Sequence, residues 1–287
     1  MFANKHIKRD ILQMKQSKTL AAKRMRGAAE AFVDEWVASG HYGFSLAEVI
    51  RATGLSDRNA KNQRGRLRGR TSKVARWQPF FLINDPSNQA SGAVSYDRWL
   101  DEYFAWLGRP YYVGLQSAAA LHGSQPQALQ TIQIVTDAPR RDAQVGRQKL
   151  RFFVKSDCAA SDVQQAPRAF APMKVSTPET TAFDLVRYAP RLGGIDRTAE
   201  TLAPMLQLLQ PTRLKSVLAA EDEVSTMQRL GFLLETMGQA KLAATVETCL
   251  PSRCAWIPLA VGATCPAGAP RHQRWHVLEN AAITSWS

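Results

Sequence analysis

Cysteine is scarce in this chain of 287 residues. Cys158, Cys249, Cys254 and Cys265 all fall late and share no spacing of a disulfide framework, which points to a reducing, cytoplasmic setting. No uninterrupted apolar run approaches the ~18 residues that a membrane helix needs, so no membrane partner is expected. The basic first residues are followed by no apolar core of a signal peptide. Phosphate loops of the Walker or dinucleotide kind are lacking, since Gly193-Gly194 has no companion glycines. No G-S pair followed by D-x-D or D-x-E suggests a nucleotidyltransferase centre. His122 has no Ser or Cys nucleophile paired with it by a motif, and reads as a packing histidine at a helix end. Cys249, Cys254, Cys265, His272 and His276 lack the tight C-x2-C knuckle of a strong zinc site, so free thiols are expected. These absences leave no catalytic residue, metal or cofactor to assign.

Two carboxylates, Asp137 and Asp184, sit best at element ends. An enzyme on nucleotides or nucleic acid would need such acids to converge on a divalent cation. The reading favoured here is a turn-forming Asp137 and an Asp184 paired with Arg187 or another cation.

Positive charge is abundant, and it is uneven. The chain carries 37 Lys and Arg against 24 Asp and Glu, a net +13. Residues 1–76 hold 17 of the bases and six of the acids, so +11 of that excess sits in the first quarter. A focused basic segment is the electrostatic footprint of a nucleic-acid-binding module.

The same segment carries a folded pattern. Residues 1–27 read as a basic arm. From Ala28 to Ser39, Phe32, Val33, Trp36 and Val37 line one face of a helix that Gly40 ends. Ser45 and Glu48 form a capping box for a second helix with Leu46, Val49 and Ile50 inward. Thr53-Gly54-Leu55 is a tight turn, and Ser56 caps a third helix with Asp57 at its positive end. Two short helices joined by a Gly-containing turn match the helix-turn-helix signature. On the third helix Ala60 and Leu67 point inward. Arg58, Lys61, Asn62 and Arg66 point outward, with Asn59 at the edge. Arg can pair with guanine, Asn with adenine, and Lys neutralises phosphate. Gly65 weakens this helix by ~1 kcal/mol and predicts a short or bent element. Arg70, Lys73 and Arg76 followed by Phe80-Phe81-Leu82-Ile83 suggest a two-stranded wing. Residues 28–84 therefore read as a winged helix-turn-helix, and the polar stretch from Asn84 to Gly92 as a linker.

Beyond the linker, residues 93–280 read as a mixed α/β domain, making the whole chain α+β. Tyr96 to Leu107 is helical by its aromatic spacing. Tyr111 to Val113, Thr131 to Thr136, Lys149 to Lys155 and Lys174 to Ser176 read as strands. Leu115 to Leu121 is a small-residue helix that another backbone can approach closely. Thr177 and Pro178 open a further helix to Tyr188. Asp196 to Leu242 is mostly helical, and Trp256 to Leu259 and Arg274 to Leu278 read as two short strands.

The run R-P-Y-Y-V-G-L-Q-S-A-A-A-L-H-G, then I-Q-I-V-T-D, V-S-T-P-E-T-T-A-F-D-L-V-R-Y and R-L-G-G-I-D-R, follows the helix-turn-helix in order. This combination resembles the AbiEi-family antitoxins of bacterial type IV toxin–antitoxin systems, from about Phe32 to Val277. The resemblance implies an N-terminal domain that binds double-stranded operator DNA at inverted repeats and represses the antitoxin–toxin operon. It implies a C-terminal domain that counteracts a cognate nucleotidyltransferase-type toxin without requiring a tight complex with it. It assigns no catalytic residue. The DNA-binding set becomes Ser56, Arg58, Asn59, Lys61, Asn62, Arg66, Arg70, Lys73 and Arg76. The rival reading is a winged-helix transcriptional regulator whose C-terminal domain senses a ligand or partner.

Overall fold

The computed structural model describes residues 27–75, 77–84, 93–124, 131–167 and 169–284. Most of the basic arm, Arg76 and residues 85–92 of the linker lie outside them. The fold is α+β and divides into two compact units. One is Met1–Gly108 with Ala143–Gln148, and the other is Arg109–Asp142 with Lys149–Ser287. The chain thus passes between the units three times.

The first unit opens with α1 (Ala28–Ala38), β1 (Gly43–Ser45), α2 (Leu46–Thr53) and α3 (Asp57–Arg66). Strands β2 (Thr71–Lys73) and β3 (Phe80–Ile83) follow, then α4 (Leu100–Leu107). The capping box at Ser45 is complete: Glu48 N donates to Ser45 Oγ at 3.3 Å, and Ser45 N donates to Glu48 Oε2 at 2.6 Å. Gly54 takes φ 67°, the left-handed conformation that ends α2 without a Cβ clash. Ser56 Oγ accepts from Asn59 N at 3.4 Å and starts α3. The helix continues through Gly65 to Arg66, neither shortened nor broken there. Phe32, Val33, Phe44, Val49, Leu55, Ala60, Leu67 and Phe81 close one core beneath α2 and α3.

The sheet here has three strands, in the order β1-β3-β2. Strand β1 was not visible in the sequence because three residues carry no measurable alternation. It pairs antiparallel with β3, Phe44 opposite Phe81. Helix α4 seals the other side. Phe80 packs with its ring tilted against Tyr103 and Trp106, centroids 5.3 Å away in each pair. Glu102 accepts from Gly43 N at 2.5 Å, Tyr42 N at 3.3 Å and His41 Nδ1 at 2.6 Å. Burial raises the Glu102 pKa, and these donors work against the rise.

The second unit is built on a mixed sheet. Its strands are β4 (Tyr111–Val113), β5 (Thr131–Thr136), β7 (Gln148–Val154), β8 (Val163–Gln165) and β9 (Lys174–Ser176), with β6 (Ala143–Val145) preceding β7 in the chain. These five strands lie in the order β7-β5-β4-β9-β8. β5 and β7 run parallel, as do β4 and β9, while β4 and β5 are antiparallel. Helix α5 (Leu115–Leu121) packs between β5 and α6 (Pro178–Arg187), which its Ala118 and Ala119, both fully buried, permit. His122 Nε2 donates to the Ser176 carbonyl at 2.8 Å, and burial lowers its pKa. It is a neutral packing histidine.

Helices α7 (Ile195–Leu202), α8 (Pro211–Ala219), α9 (Val224–Thr236) and α10 (Ala240–Cys249) continue the unit. The end forms three short strands rather than two: β10 (Ile257–Pro258), β11 (Arg271–His272) and β12 (Val277–Leu278). Helix α9 holds this terminal sheet. Gln228 Nε2 donates to the carbonyls of Ala255 and Trp275 at 3.0 and 2.9 Å. Trp275 lies fully buried over Gly231, and its indole N–H donates to Glu235. Among the described residues no helix is long and apolar enough to cross a membrane.

Candidate nucleic-acid interface and a buried ionic cluster

Helix α3 buries Ala60 and leaves Arg58, Asn59, Lys61, Asn62 and Arg66 exposed, with Leu67 buried just beyond. The projection from sequence therefore holds side chain by side chain. Two features modulate its charge. Lys61 Nζ pairs with Asp57 at 2.6 Å, but both are more than half exposed, so the pair leaves the lysine accessible. Arg64 turns back over the Phe81 ring at 4.8 Å. Lys73 lies over the same ring at 5.2 Å.

Arg70 is differently placed from its neighbours in the predicted set. Its Nη2 donates to Asp34 at 2.5 Å and its Nη1 to Glu30 at 3.3 Å. The Asp34 hydrogen bond raises its pKa above the ordinary arginine value. Its guanidinium therefore ties the turn between α3 and β2 to α1. Ser56 acts as the cap of α3, with its residue exposed. Arg76 lies outside the described residues. Arg68, exposed just past α3, sequence reasoning left out of the set although the local charge density pointed to it.

The second unit hides a group of charges. Lys155 is 1% exposed and Asp184 is fully buried. Lys155 Nζ lies 3.6 Å from Asp184 Oδ1 and also pairs with Glu221. Arg187 reaches Glu221 at 3.4 Å and Glu223 at 2.8 Å. Tyr112 Oη donates to Asp184 Oδ2 at 2.6 Å. The partner expected for Asp184 was Arg187 or another cation; it is Lys155, while Arg187 pairs with Glu221 and Glu223. Asp137 instead pairs with Arg109 at 3.2 Å. Each acid is thus committed to its own base. Among the described residues no three His, Cys, Asp or Glu side chains are grouped to hold a metal, and the four cysteines are free.

Burial shapes how this cluster titrates. It pushes the carboxyls of Asp184 and Glu221 above their ordinary values. For Lys155 burial works downward, but Asp184 and Glu221 outweigh it and the pKa rises. Burial also raises Tyr112 and Tyr188, and lifts the Cys158 thiol to about 12. Lys155, Tyr112, Tyr188 and Cys158 hold their protons more tightly folded than unfolded. Their contribution is complete below their unfolded values and is lost as pH rises through the folded ones. Thermal melts should therefore show the second unit losing stability from about pH 9 upward, where the unfolded thiol and phenols begin to ionise. A melting temperature that climbs over that range would contradict the assignment.

The segment of the chain that holds this cluster has a known counterpart. Residues 112–236 match the family model described as the AbiEi antitoxin C-terminal domain. Over that span, less than half of its length, the chain is similar to the AbiEi antitoxin C-terminal domain. Its matched span runs from Tyr112 in β4 to the end of α9 and encloses Lys155, Asp184 and Glu221. In fold, the chain is similar to the crystal structure of the RV2827C protein from Mycobacterium tuberculosis. That likeness has a TM-score of 0.56 at 15% identity and covers 88% of this chain and 90% of the other. The antibiotic-resistance factor ANT(2'')-Ia, at 13% identity, covers 41% of this chain and 84% of its own. Its TM-score of 0.32 is too low to carry an argument. No curated protein matches in sequence.

Proposed function

We propose that this AbiEi-type chain is the antitoxin of a bacterial type IV toxin–antitoxin system and represses its own operon. In this reading α3 enters the major groove of operator DNA, with Arg58, Asn59, Lys61, Asn62 and Arg66 as its contacts. The β2–β3 hairpin serves as the wing, and Lys73 and Arg76 reach phosphates. The second unit counteracts a cytoplasmic nucleotidyltransferase-type toxin, functionally and without need of a tight complex. The observation that carries the DNA-binding half is the exposed cationic and amide face of α3, set on a capped and buried helix-turn-helix. The antitoxin half is supported by the matched domain.

The two halves separate experimentally. Arg58→Ala with Arg66→Ala should weaken operator binding about 10- to 100-fold and flatten its salt dependence by about two counterions. The same variant, co-expressed with the neighbouring toxin, should still rescue growth. Unchanged operator affinity and salt slope would remove α3 as the recognition helix. Loss of repression with no rescue by either form would favour a plain transcriptional regulator. That second reading is supported by a cleft lined by Asp157, Ser161, Asp162, Ser216 and Glu221, where a small ligand could sit.

A further inference from the structure

Trp77 is the most exposed of the described tryptophans, ahead of Trp256 at 37%. Trp99 and Trp275 are fully buried, whereas Trp77 is 68% exposed. It lies in the connection between β2 and β3, and that connection is held on both sides. Val74 before it and Phe80 after it are buried. Gln78 N donates to the Ala75 carbonyl at 3.1 Å. The Gln78 side chain accepts from Tyr103 Oη at 2.6 Å. The indole is thus largely exposed beside a residue, Gln78, that is tied to α4.

The charge around it narrows what can meet it. From residue 58 to residue 84 the sequence has no Asp or Glu and eight Lys or Arg. A surface of that kind selects a polyanion. An aromatic side chain at its projecting turn selects a polyanion that also offers apolar surface, and nucleic acid offers sugar and base faces. Helix α3 of the same unit, with Arg58, Asn59 and Asn62 exposed, favours duplex DNA over a single strand, because a helix of this kind fits the major groove.

We propose that Trp77 is a DNA-contacting residue that sets its indole into the minor groove flanking the α3 contact. There it packs on the sugars and wedges at a flexible pyrimidine–purine step. The inference rests on the DNA-binding reading above. Because the contact is apolar, it adds affinity without releasing counterions. Because pyrimidine–purine steps open most readily, it adds sequence preference at base pairs that α3 does not touch.

The test uses the full chain and a duplex selected by the wild-type protein from a random library. Trp77→Ala should weaken binding about tenfold or more, leave the salt slope unchanged, and erase any preference for a TA or CA step beside the α3 site. Trp77→Phe should recover most of the loss. Trp77→Lys is the sharper variant. It adds a cation, so a purely electrostatic hairpin would bind more tightly, whereas a wedge predicts weaker binding than wild type. Tighter binding by Trp77→Lys, or wild-type affinity in Trp77→Ala, overturns the inference. So does a fall in melting temperature that accounts for the whole loss in Trp77→Ala and is not repaired in Trp77→Phe. If Arg58→Ala with Arg66→Ala loses binding while Trp77→Ala does not, the DNA-binding reading survives and only the wedge falls. If the wild-type chain selects no duplex at all, both fall.

Discussion

Lys155→Met is expected to destabilise the second unit by about 3–5 kcal/mol, because it leaves Asp184 and Glu221 buried without their shared cation. For a unit of this size the melting temperature should drop by roughly 10 °C. The carboxyls then relieve the cost by taking up protons. Both are already raised by burial, and without Lys155 they rise further. The variant should therefore gain more stability than the wild type as pH is lowered from 8 towards 5. A triple variant, Lys155→Met with Asp184→Asn and Glu221→Gln, should recover much of the loss, since no uncompensated charge remains. If Lys155→Met melts like the wild type at pH 8, the cluster is solvated and its assignment as buried is wrong.

Gly231→Ala should be nearly as damaging. In an ordinary helix interior this change stabilises by ~1 kcal/mol. Here a Cβ would overlap the six-membered ring of Trp275, which is itself fully buried and hydrogen-bonded to Glu235 through its indole. The ring cannot retreat without giving up that bond, so we expect a net loss of about 3 kcal/mol. Gly231→Val should cost more. Gly231→Ala with Trp275→Leu should be less damaging than the sum of its parts, which calorimetry on the two single variants and the pair would measure. Additive losses would show that the two residues do not touch.

These two sites also mark where the sequence stopped being informative. The helix-turn-helix was legible because its signals are local. Ser45 and Glu48, Gly54, and Ser56 each act within four residues, and the outward face of α3 follows from helical geometry alone. The buried lysine was not legible. Lys155 ends an apolar strand, where a charged residue ordinarily signals emergence into solvent, and its partners come from α6 and the turn before α9. Gly231 drew no reading of its own in a leucine-rich stretch, and its reason lies in Trp275, next to the terminal sheet. Arg70 shows the same limit from the other side. Its place in a basic run suggested DNA, while the acids that engage it sit on α1. Composition located the basic module, but tertiary contacts decided which of its charges face outward.

The three passages of the backbone between the units have a consequence for how such a protein can change over time. Units joined by one linker can be exchanged by a single recombination event, as beads on a string. Here residues 143–148 belong with the first unit while the flanking segments belong with the second. One crossover in the gene would therefore strand a hairpin in the wrong partner. The two units are bound to be inherited as a set, and on the DNA-binding reading proposed above a new operator specificity would arise by point substitution on α3 rather than by swapping the module.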